Sequence, residues 1–260
     1  MRKIRFILLA GIGLRAGCAG FSGSGDFTKD ELEIIRRGER KGTGVSNGDS
    51  NGKETGKAVK AADGQDRAIV IPGKMRVLKI DRPEDLFVLR SQSRDLSREA
   101  LISEDYASLC RQMIATVTHP SEDGVGIAAP QVGLNRRVVA VQRFDKEPVP
   151  CAGGLDHPFE VYPNIRIIWA SDSLASGAEG CLSVPDRRGN VLRSQEIVIE
   201  YADMEALAGD MDLHGKKSQK IGRAEGEIPM VRDTVRGFTA VIFQHEIDHL
   251  DGVLYIDRLQ

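Results

Sequence analysis

The stretch with the clearest chemistry is the pentapeptide His-Glu-Ile-Asp-His at residues 245–249. Residues four apart on an α-helix lie on the same side, so the imidazoles of His245 and His249 can bind one divalent metal ion. Glu246 directly follows the first histidine, where its carboxylate can exchange a proton with a water molecule at that metal. This spacing predicts a metal-dependent hydrolase.

A catalytic site of this kind needs a third protein ligand and one open position for water. Two common arrangements do not fit. In metzincins a third His follows the helix, but Tyr255 stands at that position here. Thermolysin-like enzymes take a Glu from a second helix downstream, and too few residues follow His249 to form one. The third ligand therefore comes from upstream, and the candidates are Cys110, Cys151, Cys181, His119, His157 and His214.

Two further blocks carry side chains suited to the same site. Cys181 lies in the sequence Glu-Gly-Cys-Leu-Ser at 179–183, a Gly-containing turn that directs the thiol and the following backbone N–H to one side. The block at 124–131 reads Gly-Val-Gly-Ile-Ala-Ala-Pro-Gln and ends in the amide side chain of Gln131. Cys110, by contrast, falls among apolar residues at helical spacing, which predicts a core position.

The three blocks resemble the signature motifs of peptide deformylases, GxGxAAxQ, EGCxS and QHExDH, and they occur in that order along the chain. The resemblance covers about residues 95–260. It implies that Cys181, His245 and His249 hold the metal and that Glu246 is the acid–base residue. It also implies a substrate, an N-formyl-methionyl peptide, which is hydrolysed to formate and a free N-terminal amine.

The same resemblance implies how the substrate is held. Gln131 and the backbone N–H of Leu182 would bind the oxyanion that forms when the formyl carbonyl is attacked. Arg188 matches an arginine of the family that contacts the bound peptide. Val125 and Gly126 match the stretch whose backbone pairs with the substrate.

The ligand types limit the choice of metal. One thiolate and two imidazoles favour Fe²⁺, Zn²⁺, Ni²⁺ or Co²⁺ over Mg²⁺ or Ca²⁺. The family resemblance implies Fe²⁺ as the usual ion, often replaced by Zn²⁺. Metal-bound imidazoles are normally oriented by a second group, and Glu179 or Asp248 could supply that contact.

Two other functions stay open on the sequence alone. One is a metallopeptidase of the HExxH type that cleaves internal peptide bonds. The other is a tethered peptide-binding protein without catalysis, although such a protein would have no reason to keep Glu246 and Gln131 beside the ligands. Release of formate from a formyl-methionyl peptide, without cleavage elsewhere, distinguishes a deformylase from both.

Composition is ordinary for a folded protein and excludes one class of partner. The chain has 260 residues, of which 41% are hydrophobic and 28% charged, and a formal charge of −2. Without excess positive charge or a basic stripe there is no basis for nucleic-acid binding. The sequence does not indicate an oligomeric state.

The N-terminal third differs from the rest. Residues 1–19 combine basic residues, an apolar run at 6–14 and Ala-Gly-Cys at 16–18, which predicts an export signal or membrane anchor, although Arg15 departs from a lipobox. Residues 20–66 are polar and Gly-rich and predict a flexible linker, interrupted by a short amphipathic helix at about 30–37. Residues 67–260 then form the catalytic domain. Family function predicts the cytoplasm, whereas the signal-like segment predicts export or a membrane tether.

Patterning within the domain predicts an α+β fold, a mostly antiparallel sheet wrapped around the metal-binding HExxH helix. Phe238, Val241, Ile242 and His245 would share one face of that helix, which predicts that the helix is buried. The predicted strands are 68–71, 75–80, 138–142, 159–168 and 196–201, the predicted helices are 104–117 and 233–250, and 204–229 is a predicted surface loop.

Overall fold

A computed structural model describes residues 26–40, 73–151, 154–209 and 227–260. The predicted N-terminal signal, most of the predicted linker and the predicted strand at 68–71 lie outside these ranges. None of the helices in the described ranges is long and apolar enough to cross a bilayer. The helices are α1 (Lys29–Arg40), α2 (Pro83–Leu89), α3 (Arg98–Leu101), α4 (Glu104–Val117), α5 (Met204–Gly209) and α6 (Gly237–Leu250), with 3-10 turns at Ala129–Val132 and Tyr255–Asp257.

The strands form two three-stranded antiparallel sheets and two hairpins. One sheet has the order β1-β2-β5 and the other β10-β9-β6, while β3 pairs with β4 and β7 with β8. The strands are β1 (Gly126–Ala128), β2 (Val138–Gln142), β3 (Val149–Cys151), β4 (Gly154–Asp156), β5 (Phe159–Pro163), β6 (Arg166–Ala170), β7 (Leu174–Cys181), β8 (Val184–Ser194), β9 (Glu196–Ala202) and β10 (Met230–Arg236).

Helix α6 lies at the centre of this arrangement and contacts β1, β2, β6, β8, β9 and β10. Its apolar residues Phe243, Ile247 and Leu250 pack with inward-facing residues of both sheets, such as Val139 and Ile199. The predicted α+β fold, with antiparallel strands around the HExxH helix, is confirmed. Because α6 is packed from several sides, its two histidines are held on a rigid support.

Helix α6 begins later than predicted. Residues 233–236 belong to β10, which pairs with β9 from Met230 to Arg236. Gly237 follows with φ of +61°, a conformation that glycine adopts without strain, and it turns the chain from strand into helix. At the other end Gly252 has φ of +72°, the left-handed conformation in which glycine often ends a helix.

Two strand predictions were also wrong in part. The predicted strand at 159–168 is two strands, because Asn164 has φ of +53° and its side chain bonds the backbone of Leu96. Residues 75–80 are not a strand, although they were predicted to be one. Their backbone groups bond a side chain or single loop residues, such as the N–H of Met75 to the Thr116 hydroxyl at 2.9 Å, instead of a strand ladder.

Helix α4 follows the prediction closely. Ser103 caps its N-terminus by accepting a hydrogen bond from the N–H of Tyr106 at 3.1 Å, a contact worth about 1 kcal/mol. Leu109, Met113 and Val117 on its inner face are buried in a core shared with the first sheet. The helix therefore closes one side of the β1-β2-β5 sheet.

Helix α1 packs against α4, within the range that was predicted to be a flexible linker. Ile35 is fully buried in the core beside Met113. The short amphipathic helix predicted at about 30–37 is therefore present, and it is attached to the catalytic domain. Helix α5 occupies the first residues of the predicted 204–229 loop, and its Leu207 is buried. Residues 210–226 lie outside the described ranges.

Candidate metal centre

Two separate elements bring the three predicted ligands together. Helix α6 carries His245 and His249, whose ring centroids lie 5.1 Å apart, and the turn between β7 and β8 carries Cys181. The ligand atoms of all three residues lie within 4.8 Å of one another. Cys181 Sγ is 3.2 Å from His249 Nε2. Within the described ranges, this is the group of His, Cys, Asp and Glu side chains that could hold a metal ion.

The turn at Cys181 is held by hydrogen bonds to the sulfur. The N–H of Ser183 donates to Cys181 Sγ at 3.4 Å, and Gln131 Nε2 lies 3.6 Å from the same atom. Gln131 Nε2 also donates to the Ser183 hydroxyl at 3.2 Å. The orientation of this amide is fixed, because Gln131 Oε1 accepts from the N–H of Ala128 at 2.8 Å. The predicted Gln131 therefore directs its NH₂ group at the centre.

Glu246 is buried directly beside the ligands, with 4% of the residue exposed. It packs so closely on Gly126 that a Cβ atom there would lie 2.5 Å from Glu246 Oε1, so any larger residue at 126 would displace the carboxylate. Its Oε2 atom has no hydrogen-bond partner among the described residues. This places an unpaired proton acceptor at the centre.

The environment of Glu246 changes its acidity. Burial raises the pKa of Glu246 to about 7, and although His245 and His249 oppose the rise, Cys181 and Glu179 add to it. A carboxyl group with a pKa near neutrality exchanges protons readily in both directions at ordinary pH. Glu246 therefore has the acidity that a general acid–base residue needs.

His245 is oriented by an ion cluster, here called the buried ion cluster, which consists of the buried residues Glu179, Arg193 and Asp248 and of the partly exposed Arg258. Glu179 Oε2 lies 2.8 Å from His245 Nδ1, which leaves Nε2 of that ring to face Cys181 and His249. Arg193 binds both oxygens of Glu179, at 2.7 and 2.9 Å. Of the two predicted orienting residues, Glu179 therefore contacts an imidazole.

Asp248 contacts arginines instead. Its Oδ2 accepts from Arg193 at 2.6 Å, and Arg258 binds both of its oxygens, at 2.6 and 2.7 Å. Asp248 directly precedes the ligand His249, so these contacts hold the helix backbone at the second imidazole. The cluster thus supports both histidines, one by direct contact and one through the chain.

The charges of the centre suit a divalent cation. Burial opposes ionisation of Cys181, but the attraction and hydrogen bonds of His249 and His245 outweigh it and hold the pKa of the thiol well below its usual range. Burial likewise opposes ionisation of Glu179, but Arg193 and His245 lower its pKa to about 2. A thiolate and two imidazoles, one backed by a carboxylate, are a donor set that binds a transition-metal ion. The residues therefore fit such an ion.

The centre opens into a cleft of about 880 Å³. Val125, Leu182 and Arg188 line it together with Gly126, Gln131 and Glu246, so the residues predicted to bind substrate are brought together there. Helix α6 is buried as predicted, but the face that carries Phe238, Val241, Ile242 and His245 lines this cleft, and Phe238 is 57% exposed. Helical periodicity alone cannot distinguish a face covered by core from one that borders a cleft.

The other candidate ligands lie elsewhere. Cys110 packs at the edge of the α4 core, where burial raises the pKa of its thiol to about 12. The Nδ1 atom of His119 pairs with the Ser121 hydroxyl at 3.0 Å, and that of His157 with the carbonyl of Lys146 at 2.9 Å. The side chain of Cys151 and the whole of His214 lie outside the described residues.

Three residues around the centre were missed by the sequence analysis. Arg193 links the two carboxylates of the buried ion cluster, Tyr255 stacks on His245 with ring centroids 6.0 Å apart, and Lys79 binds the turn at Cys181. None of them belongs to a signature motif. The contacts of Lys79 with Leu182 and of Arg193 with Asp248 join residues far apart in the chain, so no local pattern could have indicated them.

The comparisons with known proteins agree with this geometry. The family model for polypeptide deformylase matches residues 74–260. A peptide deformylase of Leptospira biflexa serovar Patoc is 34% identical over 186 residues, which is 71% of this chain and 87% of the relative. Peptide deformylase 2 of Gloeobacter violaceus is 36% identical over 173 residues, which is 66% of this chain and 74% of the relative.

Solved structures agree as well. The Met-Ala-Ser-bound class I type b peptide deformylase from Acinetobacter baumannii has 32% identity and a TM-score of 0.52, covering 72% of this chain and 98% of that one. The peptide deformylase from Thermotoga maritima has 27% identity and a TM-score of 0.53, with the same coverage. The matched region contains the cleft, its three motifs and the candidate metal ligands, and the chain therefore belongs to the peptide deformylase family, metal-dependent hydrolases that remove the formyl group from nascent peptides.

Proposed function

We propose that Cys181, His245 and His249 bind the catalytic metal and that Glu246 is the acid–base residue in hydrolysis of N-formyl-methionyl peptides. The products are formate and a peptide with a free N-terminal amine. One observation carries the proposal: the three ligand atoms lie within 4.8 Å of one another, and the buried Glu246 carboxylate borders the same cleft. A binding protein without catalysis would have no use for that carboxylate.

We infer that the native ion is Fe²⁺, with Zn²⁺, Ni²⁺ and Co²⁺ able to take the same place. The thiolate of Cys181 is a soft donor, and it supports this group of ions over Mg²⁺ and Ca²⁺. An ion of this kind is a Lewis acid that lowers the pKa of water and polarises a carbonyl group. The remaining steps fall to side chains and backbone groups of the protein.

Glu246 moves the proton. Its carboxylate accepts a proton from the attacking water, and the carboxyl group then donates that proton to the nitrogen of the leaving amine. Burial supports the first transfer, because a carboxylate in a buried site is a stronger base than one exposed to water. Gly126 keeps the carboxylate in place, since the pocket has no room for a side chain there.

Gln131 and the backbone N–H of Leu182 stabilise the oxyanion. The Gln131 NH₂ group is aimed at the centre in advance by the hydrogen bond from Ala128 to its Oε1 atom. Leu182 follows Cys181 directly and lines the cleft. Donors fixed before the reaction lower the barrier without reorganising, by roughly 3 kcal/mol each in comparable oxyanion holes.

The peptide binds along the free edge of a sheet. β1 lies at the end of the order β1-β2-β5, and within the described ranges it pairs with β2 alone. Val125 and Gly126, at the start of this strand, line the cleft, so an extended substrate can add to β1 by backbone hydrogen bonds. Arg188 on the opposite wall contacts the peptide. The tripeptide bound to the Acinetobacter baumannii relative supports such an occupant.

The test measures metal content and formate release for two variants incubated with the same metal. Glu246→Gln should retain the metal and lose at least about 10²-fold in formate release, because the amide cannot accept the proton. Cys181→Ala should lose metal binding. Glu200→Gln on β9, remote from the cleft, is the control and should match the parent.

Formate release by Glu246→Gln at the parent rate would remove Glu246 from the mechanism. Full metal retention by Cys181→Ala would remove the proposed ligand set. Analysis of the same peptide for internal cleavage separates the deformylase from a metallopeptidase, which would cut peptide bonds as well.

A further inference from the structure

We propose that Lys79 is a positioning residue, which fixes the turn that carries Cys181 and the backbone N–H of Leu182. This inference rests on the proposed function, because it assigns those two groups to the metal and the oxyanion. Lys79 belongs to no signature motif, and it lies on the segment that was wrongly predicted to be a strand. Its side chain is half-buried at the edge of the centre.

The segment 78–80, here called the bridging segment, touches both loops that supply the oxyanion donors. The N–H of Leu78 donates to the carbonyl of Gln131 at 2.7 Å. The N–H of Ile80 donates to the carbonyl of Ser183 at 3.0 Å. Between them, the ammonium group of Lys79 donates to the carbonyl of Leu182 at 2.5 Å. Three consecutive residues thus tie the two loops together.

The bridging segment is itself firmly held. The N–H of Lys79 donates to Asp85 Oδ2 at 3.0 Å, and Asp85 is 1% exposed. Arg76 binds both oxygens of Asp85, each at 2.7 Å. The ammonium group therefore extends from a fixed backbone. Because that backbone does not move with the turn, the contact with Leu182 restrains the position of the turn.

The Lys79 contact acts on the peptide unit between Leu182 and Ser183. At one end of this unit the carbonyl accepts from Lys79, and at the other end the N–H of Ser183 donates to Cys181 Sγ at 3.4 Å. A positive charge at the oxygen polarises the peptide and strengthens its N–H as a donor. The same contact prevents rotation of the peptide plane, which would turn the Ser183 N–H away from the sulfur.

Lys79 also holds the carbonyl of Leu182 at a fixed distance from the bridging segment, and so restrains the position of the residue whose own N–H is the proposed oxyanion donor. Lys79 therefore acts directly on the hydrogen bond to the ligand sulfur and, through the position of Leu182, on the oxyanion donor. The nearby acid Glu122 lies 2.5 Å from Lys74 in an ion pair. The hydrogen bond that the ammonium group of Lys79 makes is to the backbone carbonyl of Leu182, whereas an ordinary surface lysine pairs with a carboxylate or water.

The experiment uses the Co²⁺-loaded protein and three variants, Lys79→Met, Lys79→Arg and, as a control, Lys146→Met. Lys146 is a partly exposed lysine that pairs with Glu160, away from the cleft. Lys79→Met should lower kcat by about tenfold with KM changed less than about twofold, because a misplaced donor weakens the transition state. Lys79→Arg should recover part of the loss, and Lys146→Met should match the parent.

The thiolate-to-cobalt absorption band gives a second readout that does not depend on turnover. In Lys79→Met the weaker N–H···S bond should raise the energy of the sulfur electrons and shift the band to longer wavelength. A lower melting temperature with unchanged kcat and an unchanged band would overturn the proposal and leave Lys79 as a structural residue. Absence of formate release by the parent would refute the proposed function, whereas the band comparison would still decide the role of Lys79.

Discussion

Arg193 and Arg136 are both buried arginines that bind carboxylates, with 4% and 5% of their side chains exposed. Arg193 binds Glu179, which orients His245, one of the three proposed metal ligands. Arg136 binds both oxygens of Glu31, at 2.7 and 2.8 Å, and so attaches helix α1, which lies outside the region matched by the family model. The same kind of contact thus supports the metal centre in one region and helix docking in the other.

Burial of an ion pair does not by itself mark a functional site. In both regions, removing one member of the pair takes a charged partner away from a buried charge. The difference lies in what the carboxylate touches next. Glu179 touches an imidazole of the centre, whereas the hydrogen bonds of Glu31 other than those to Arg136 are made with Thr28 in the turn before α1. Changes in the first region should affect metal and activity, and changes in the second should affect stability alone.

The largest effect is expected for Arg193→Met. Glu179 and Asp248 would lose their shared partner inside the protein, which should lower the free energy of unfolding by about 3–5 kcal/mol. The folded fraction should also bind metal more weakly, because His245 loses its fixed orientation. Denaturant unfolding and metal titration check these effects. A metal affinity equal to that of the parent would show that the buried ion cluster does not support metal binding.

A smaller effect is expected for Glu31→Gln, and on stability alone. Arg136 would keep its contact with the carbonyl of Asp26 but lose the charge of Glu31, at a cost of about 1–3 kcal/mol. The activity per bound metal should equal that of the parent, because α1 contributes no residue to the lining of the cleft. Reduced activity in fully folded, metal-loaded protein would contradict the contrast between the two regions.

Lowering the pH should also change the stability that the Glu31–Arg136 pair contributes. Burial opposes ionisation of Glu31, but hydrogen bonds from Arg136 and Thr28 outweigh it and lower the pKa of Glu31 below its usual value of 4.5. A lowered pKa stabilises the fold above the unfolded value, and that contribution is lost as pH falls through the folded value. The stability difference between the parent and Glu31→Gln should therefore be constant above about pH 5 and shrink below pH 4.5. A difference that grew in acid would exclude this ion pair as its source.

For Glu179→Gln we expect a moderate effect on the metal. The amide keeps the size of the side chain and one contact with His245, but it removes the charge that makes the imidazole a stronger ligand, which costs about 10–100-fold in affinity. Chelator competition with Zn²⁺ measures this change. Glu31→Gln serves as the matched control and should leave the affinity unaltered.

The smallest effect is expected for Arg258→Met. This arginine binds Asp248 from the outer side of the buried ion cluster, and 47% of its side chain is exposed. Solvent weakens its attraction for Asp248, and Arg193 still binds that carboxylate. The free energy of unfolding should therefore fall by about 1 kcal/mol or less. A decrease in the free energy of unfolding as large as that of Arg193→Met would mean that solvent exposure does not explain the difference between the two arginines.

Local sequence patterns were sufficient to predict the hydrolase class and the α+β fold. The spacing of His245 and His249, the turn around Cys181 and the block ending in Gln131 are local patterns, and each is set by residues close together in the chain. Helix α4 and strands β2 and β9 were likewise predictable, because apolar periodicity and a cap at Ser103 are local features.

How these parts meet depends on contacts between residues far apart in the chain. Helix α1 was predicted within a linker, and its attachment depends on a contact between Glu31 and Arg136 that no local pattern contains. The segment at 75–80 has strand-like composition, yet its backbone bonds single residues of distant loops. Periodicity could not show that Phe238 borders a cleft, nor motif spacing that Lys79 binds the turn at Cys181. The physical reason is that long-range contacts depend on the packing of whole elements, whereas sequence patterns record only neighbours along the chain.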